Sequence, residues 1–238
     1  MFRQGKPRTF KHNLRLASML SLVAGIVNVA GVLAISTLTT NVTGHFAYFA
    51  EELVRAEYQT AVAYLSYILS FLAGAFLCGL LVELAIRKNP SNSHSLPLTL
   101  EILILVMVTL SFANSAATPQ WIARMMLFAM GLQNALVTHV SKATVRTTHL
   151  TGLFTDLGIE LSQLIFYRNK EQSAQLSRSV YLRIAIITCF FFGGILSGFV
   201  FQIIGIYALL IAAFILSVAL IYNNIRVGFT YYRKKLRS

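Results

Sequence analysis

The sequence predicts an all-α integral membrane protein with about six transmembrane helices and two short Thr-Gly helices, built as an internal, inverted repeat. Three observations lead there. Hydrophobic residues make up 56% of the chain and charged residues 12%, against about 45–50% and about 25% in soluble domains. Six separate stretches reach the roughly 20 apolar residues that a helix needs to cross the hydrocarbon core. The basic residues responsible for the formal charge of +12 fall between and beyond those stretches. A nucleic-acid-binding protein would gather them on one surface; cytoplasmic loops scatter them in this way.

In chain order, Met1–Arg15 is basic and Leu16–Ile35 follows as the first apolar run. That run exceeds the roughly 7–15 residues of a signal-peptide core, so it reads as an uncleaved span. Ala61–Ile86, Leu96–Ser115, Ile122–Val140, Leu182–Gln202 and Ile206–Ile225 are the other five. Two weaker segments remain. Val42–Val54 carries Glu51 and Glu52, and a helix of that length covers only about 20 Å of a core about 30 Å thick. Leu150–Tyr167 is longer but carries Asp156 and Glu160. Both read as half-helices or re-entrant segments.

Loop charge supports leaving these two out of the crossings. With six spans and a cytoplasmic N-terminus, Arg87, Lys88, Lys142, Arg146, Arg168, Lys170, Arg178, Arg183 and the C-terminal cluster from Arg233 to Arg237 all lie inside. Only Arg55, among Glu51, Glu52 and Glu57, lies outside, which fits the positive-inside bias. One transmembrane domain then fills residues 1–238, with repeats at about 14–115 and 121–225 and basic cytoplasmic tails at 1–13 and 226–238.

The repeat rests on motifs. Thr39-Thr40-Asn41-Val42-Thr43-Gly44 and Thr147-Thr148-His149-Leu150-Thr151-Gly152 share the pattern Thr-Thr-x-aliphatic-Thr-Gly, just under half a chain length apart. Gly25–Asn28 resembles Gly131–Asn134 in the preceding spans, Glu52-Leu53 matches Glu160-Leu161, and Phe71–Gly79 resembles Phe190–Gly198. Three crossings per half is an odd number, so the halves face opposite ways. Inverted repeats with interrupted helices are a recurrent plan of secondary transporters. Ala75-x-x-x-Gly79 and Gly194-x-x-x-Gly198 are small-xxx-small patterns that join the two halves or two protomers.

These pieces carry a resemblance. Gly-x-x-Asn in the first span, Asn41-Val42-Thr43-Gly44, Gly131-Leu132-Gln133-Asn134-Ala135 and Arg146-Thr147-Thr148-His149-Leu150-Thr151-Gly152 together resemble the YoaK-like family of bacterial multi-pass membrane proteins. The likeness covers roughly residues 14–225. It implies a polytopic bacterial inner-membrane protein and brings no established activity.

The chemistry expected of the motifs follows from helix ends. A helix start leaves about four N–H groups without intrahelical partners and carries partial positive charge. Thr or Asn caps such a start, and glycine permits close approach. Two such ends pointing inward form one pocket for a small polar or anionic solute. Its expected lining is Asn28, Thr40, Asn41, Thr43, Gly44, Gln133, Asn134, Thr148, His149, Thr151 and Gly152. The same hydroxyls and amides also serve merely to cap and join buried helices. Glu160, Asp156 and Glu52 are the acids nearest that pocket and the expected proton-coupling groups.

The leading function is therefore a secondary transporter, and the alternative is a membrane scaffold. No nucleophile–base motif or nucleotide loop occurs, so no enzyme is expected. Cys78 and Cys189 sit alone in apolar runs, and no metal or cofactor is expected. The expected partners are the bilayer, a small solute and a second copy of the chain, without nucleic acid.

Overall fold

The computed structural model describes residues 9–88, 94–141, 147–166 and 170–235, with side chains of 88, 170 and 224–235 not described. The expected loop positions Lys142, Arg146 and Arg168, and the chain ends 1–8 and 236–238, lie outside the described residues. Every regular element among the described residues is helical. They are α1 (Phe10–Ile35), α2 (Val42–Val54), α3 (Tyr58–Lys88), α4 (Ser95–Ala113), α5 (Pro119–Ser141), α6 (Leu150–Phe166), α7 (Lys170–Ile204), a 3-10 turn (Gly205–Ala208) and α8 (Leu209–Lys235). Four helical stretches are long and apolar enough to cross a membrane: Phe10–Ile35, Tyr58–Arg87, Ser95–Ala113 and the α7–α8 stretch Glu171–Asn223. α5 falls outside that set because Arg124, Gln133, Asn134 and His139 lower its hydropathy, yet it supplies much of the core.

Large apolar side chains face outward along the helices, among them Phe76, Phe191, Phe199, Ile203 and Phe214. In water such a surface would be an aggregation hazard; against lipid it is the ordinary exterior. The interior is built from α1, α4, α5 and α8, with Leu16, Leu20, Leu98, Leu105, Met130 and Leu216 fully buried.

Two helix pairs approach at backbone contact distance. A Cβ added to Gly25 of α1 would lie 2.0 Å from the Phe190 carbonyl oxygen of α7, and one on Gly193 would lie 2.1 Å from that of Leu22. The same reciprocal arrangement joins α3 and α5: Gly74 faces the Phe128 carbonyl and Gly131 faces that of Phe71, each at 2.0 Å. Without glycine neither crossing could close. α1 and α7 run parallel, since Phe10 meets Tyr181 near one end and Val29 meets Gly194 further along. α3 and α5 are also parallel, with Tyr67 packed near Ala123 and Leu127 while Gly79 approaches His139. α1 and α5 are antiparallel: Gln133 bonds Leu20, whereas Met126 reaches Gly31.

Three expectations change. Gly198 meets nothing within 4 Å and Gly79 only His139 at 3.8 Å; of the expected small residues Gly194 does lie against Val29 of α1, but the backbone contacts are made by Gly193 and Gly74. The segment expected as a cytoplasmic loop before Arg183 is helical from Lys170, because it holds no Pro or Gly and packs against α6. α7 thus has 35 residues, about 52 Å at 1.5 Å per residue, well beyond a 30 Å core. The basic ends also join helices: α1 starts at Phe10 and α8 continues to Lys235. Lys and Arg are good helix formers, and near a helix C-terminus they oppose the dipole favourably.

Candidate functional site

α1 ends by reversing the chain. Ser36 adopts a left-handed conformation (φ 53°), its N–H donates to the Val32 carbonyl, and the Thr37 N–H reaches Gly31. This double closure satisfies carbonyls at the helix end and sends residues 37–41 back along α1. Asn28 receives them. Its Oδ1 accepts from the Thr39 N–H at 3.0 Å, the Thr40 N–H at 3.2 Å and the Thr40 hydroxyl at 3.0 Å. The turn therefore sits about two helical turns back from the end of α1, and α2 starts at that depth with Asn41 and Thr43 exposed and His45 turned in.

Asn41 caps α2, its Oδ1 accepting from the Gly44 N–H at 2.9 Å. A Cβ on Gly44 would lie 2.9 Å from the Asn41 amide, so the motif glycine makes room for the cap. Thr43 is exposed beside it. His45, the next residue, is buried: its Nε2 lies 2.7 Å from the Leu38 carbonyl, and its ring stacks on Tyr64 and meets Tyr67 edge-on. Tyr48 extends this aromatic cluster by stacking on Tyr64. Thr39 is fully buried and its hydroxyl has no partner.

At the second motif an asparagine again meets the threonine pair, here through their hydroxyls. Asn134 of α5 donates from Nδ2 to the Thr148 hydroxyl at 2.5 Å and accepts from the Thr147 hydroxyl at 3.3 Å. His149 precedes α6, and its ring lies over Gly152, 2.3 Å from where a Cβ would stand. Thr151 is exposed and Gly152 half-buried. The next residue along, Leu153, is buried as His45 is.

The structure thus assembles Asn28, Thr39 and Thr40 in one place, and Asn134, Thr147 and Thr148 in another. Gln133 bridges α5 to α1 by donating to the Leu20 carbonyl at 2.9 Å, while its Oε1 is buried without a partner. Leu20 and Asn28 are eight residues apart on α1, so the turns are offset by roughly 12 Å along the bundle. An open cavity of about 420 Å³ lies elsewhere, between α6 and α7, lined by Glu160, Gln163, Gln172, Gln175, Leu176 and Ser179.

The three acids differ in setting. Glu160 is bound by Arg183, whose Nε and Nη2 donate to its two oxygens at 2.8 and 2.9 Å, and by the Ser179 hydroxyl at 2.7 Å. Burial alone would raise its carboxyl, but these hydrogen bonds and the Arg183 charge outweigh burial and hold it below the usual carboxylate range. Asp156, more exposed, pairs with Arg183 Nη1 at 2.8 Å. Glu52 is half-buried within electrostatic range of Tyr64, while neighbouring Glu51 pairs with Arg55.

Sequence reasoning missed two features. His45, Tyr48, Tyr64 and Tyr67 converge only once α2 folds back on α3. Glu101, on α4, is fully buried and neither of its carboxylate oxygens has a partner. An acid in the middle of an apolar run is a signal in its own right.

Among known proteins, residues 16–222 match the family model described as a protein of unknown function, DUF1275. The UPF0700 transmembrane protein YoaK of Bacillus subtilis (strain 168) is 28% identical over 183 residues, covering 76% of this chain and 80% of that protein. No solved structure matches. With its apolar helices, its two polar turns and a family match over nearly its whole length, the chain is a membrane protein that belongs to the DUF1275 family.

Proposed function

We propose that this protein is a secondary transporter for a small polar or anionic solute, built as an inverted repeat and working between the two Thr-Gly turns. The observation that carries this reading is the pair of interrupted helices. Each turn is drawn into the bundle by an intrahelical asparagine, Asn28 or Asn134, and each is followed by the N-terminus of a short helix, α2 or α6. Half-helix starts inside a membrane present N–H groups and partial positive charge to a ligand. The packing supports the repeat. α1 pairs with α7 as α5 pairs with α3, through glycines at matching positions, and α1 opposes α5 in direction. An antiparallel α1 and α5 fits six crossings with α2 and α6 uncounted, and basic loops then put both termini in the cytoplasm of a bacterial inner membrane.

A scaffold is the second reading, and one observation favours it. The motif polar groups are largely satisfied by their own neighbours, and Gly44 and Gly152 accommodate the preceding side chains rather than an open space. Thr43 and Thr151 separate the two readings because they are exposed while Asn41 carries the α2 cap. A thermal-shift screen of small anions, organic acids and amino acids on purified protein tests for binding. On the transport reading, a stabilising solute loses its effect in Thr43→Val and Thr151→Val with the unliganded melting temperature unchanged. A stabilising solute whose effect survives both substitutions removes the turns from the site.

A further inference from the structure

Glu101 belongs to neither turn, and its surroundings set it apart. It lies in α4, one of the stretches apolar enough to cross a membrane, at 0% exposure, with both carboxylate oxygens unpartnered. α4 packs against α8, α5, α3 and the 3-10 turn. Among the residues whose side chains are described, the titratable groups those elements bring toward it are few. From α3, Cys78 is buried and within electrostatic range, while Glu83 and Arg87 lie exposed toward the helix end. α5 carries Arg124 near its start and His139 near its end, the 3-10 turn carries Tyr207, and α8 carries an exposed Tyr222. On α4's own side, His94 is bonded to Asn223. None of these forms an ion pair or a hydrogen bond with Glu101.

A carboxylate taken wholly out of water needs a counter-charge or several hydrogen bonds, and otherwise persists as the neutral acid. A metal cation fits poorly. It requires several oxygen ligands, and no cluster of His, Cys, Asp or Glu accompanies Glu101 among the described residues. The proton is the one cation that this site can hold with a single carboxyl group.

We propose that Glu101 is a proton-binding site in the bundle core, occupied in the closed arrangement and exchanging with water only when the packing around α4 opens. On the transport reading above, on which this clause alone rests, it is the group whose proton is exchanged during the cycle. The two unpartnered oxygens follow from that role: a carrier must release its proton in a second arrangement, so it is not locked into hydrogen bonds in the first.

The test is infrared spectroscopy of the full chain in lipid nanodiscs, with wild type compared against Glu101→Gln across pH. Gln matches the shape of a protonated Glu, so the variant retains the packing. The expected result is a protonated-carboxyl band at pH 7 that is lost in Glu101→Gln. Absence of any such difference at pH 7 overturns the proposal. Should Glu101→Gln not fold, wild type carrying ¹³C in its glutamate carboxyls gives the answer instead. A label-shifted protonated band at pH 7 supports the site, and its absence overturns it. This measurement needs no solute, so it stands or falls separately from the transport reading.

Discussion

Replacing Gly131 by Ala places a methyl group 2.0 Å from the Phe71 carbonyl oxygen, where real Cβ atoms essentially never come closer than 3.0 Å. The obstacle is backbone, so no side chain can rotate away, and α3 and α5 must part by about 1 Å. A gap of about 0.5–1 Å already forfeits roughly a quarter to a half of the dispersion well for the atoms lining it. Overpacking of this kind costs about 1–3 kcal/mol. The intrinsic preference of a helix for Ala over Gly returns about 1 kcal/mol at most. Gly25→Ala meets the same obstacle at the Phe190 carbonyl of α7. Gly198 and Gly158 are the internal controls, because an added Cβ at either meets nothing within 4 Å. Thermal unfolding in detergent, followed through the fluorescence of Trp121, the only tryptophan, gives the comparison. The net cost of up to about 2 kcal/mol should lower the midpoint of Gly131→Ala and of Gly25→Ala by up to about 8 °C, at about 2–4 °C per kcal/mol for a chain of this size. Gly198→Ala and Gly158→Ala should leave it unchanged or raise it. Equal midpoints for all four variants would refute the close-crossing argument.

Three further outcomes are expected. Asn28→Ala strands three donors of the first turn and should destabilise by about 2–4 kcal/mol in chemical unfolding, whereas Asn28→Asp keeps the accepting oxygen and should retain most of that stability; equal losses would contradict the acceptor role. Glu160 is held ionised below the usual carboxylate range, so its stabilising contribution is present above the unfolded carboxyl's range and lost as pH falls through the lowered value. Glu160→Gln should therefore cost about 1–2 kcal/mol near neutral pH and nothing once wild-type Glu160 is protonated, and equal deficits at both ends of a pH series would contradict this. Gln133→Met exchanges one hydrogen bond for the removal of a buried unpartnered oxygen, so the melting midpoint should imply a change under about 1 kcal/mol; a larger loss would show that Oε1 has a partner.

How much of this was legible in the sequence depended on range. α2 was readable to the residue, because Asn41 and the apolar run beyond it set its start locally. The two turns were marked by the repeated Thr-Thr-x-aliphatic-Thr-Gly pattern, whereas the grip of Asn28 and Asn134 on them was not, since an amide in an apolar span reads equally as pocket lining or an interhelical bond. The α7 extension was not, since Lys170–Arg183 is too polar to read as a span and becomes a helix through its packing on α6. The grip of Arg183 on Glu160 follows from that hairpin and hence from tertiary structure. The backbone-contact glycines were not legible for the same reason: Gly193 and Gly194 both touch α1, and only the rotation of α7 about its axis puts Gly193 against the Leu22 carbonyl and Gly194 against the Val29 side chain. Glu101 was the opposite case, visible as a lone acid among aliphatics but masked by the length of the run around it.

The cross-pairing of α1 with α7 and of α3 with α5 also sets a timetable for biogenesis. α1 leaves the ribosome first, yet the glycine face that needs α7 stays unmatched until Gly193 has been made. At roughly 5–20 residues per second, that wait is on the order of 10–30 s. In the interval the N-terminal helices must be sheltered by lipid or by the insertion machinery, and the bundle locks only near the end of synthesis. A chain cut between α4 and α5 would leave two fragments, each holding helices whose partners lie on the other. Expressed together they should reassemble; expressed singly, each should be degraded.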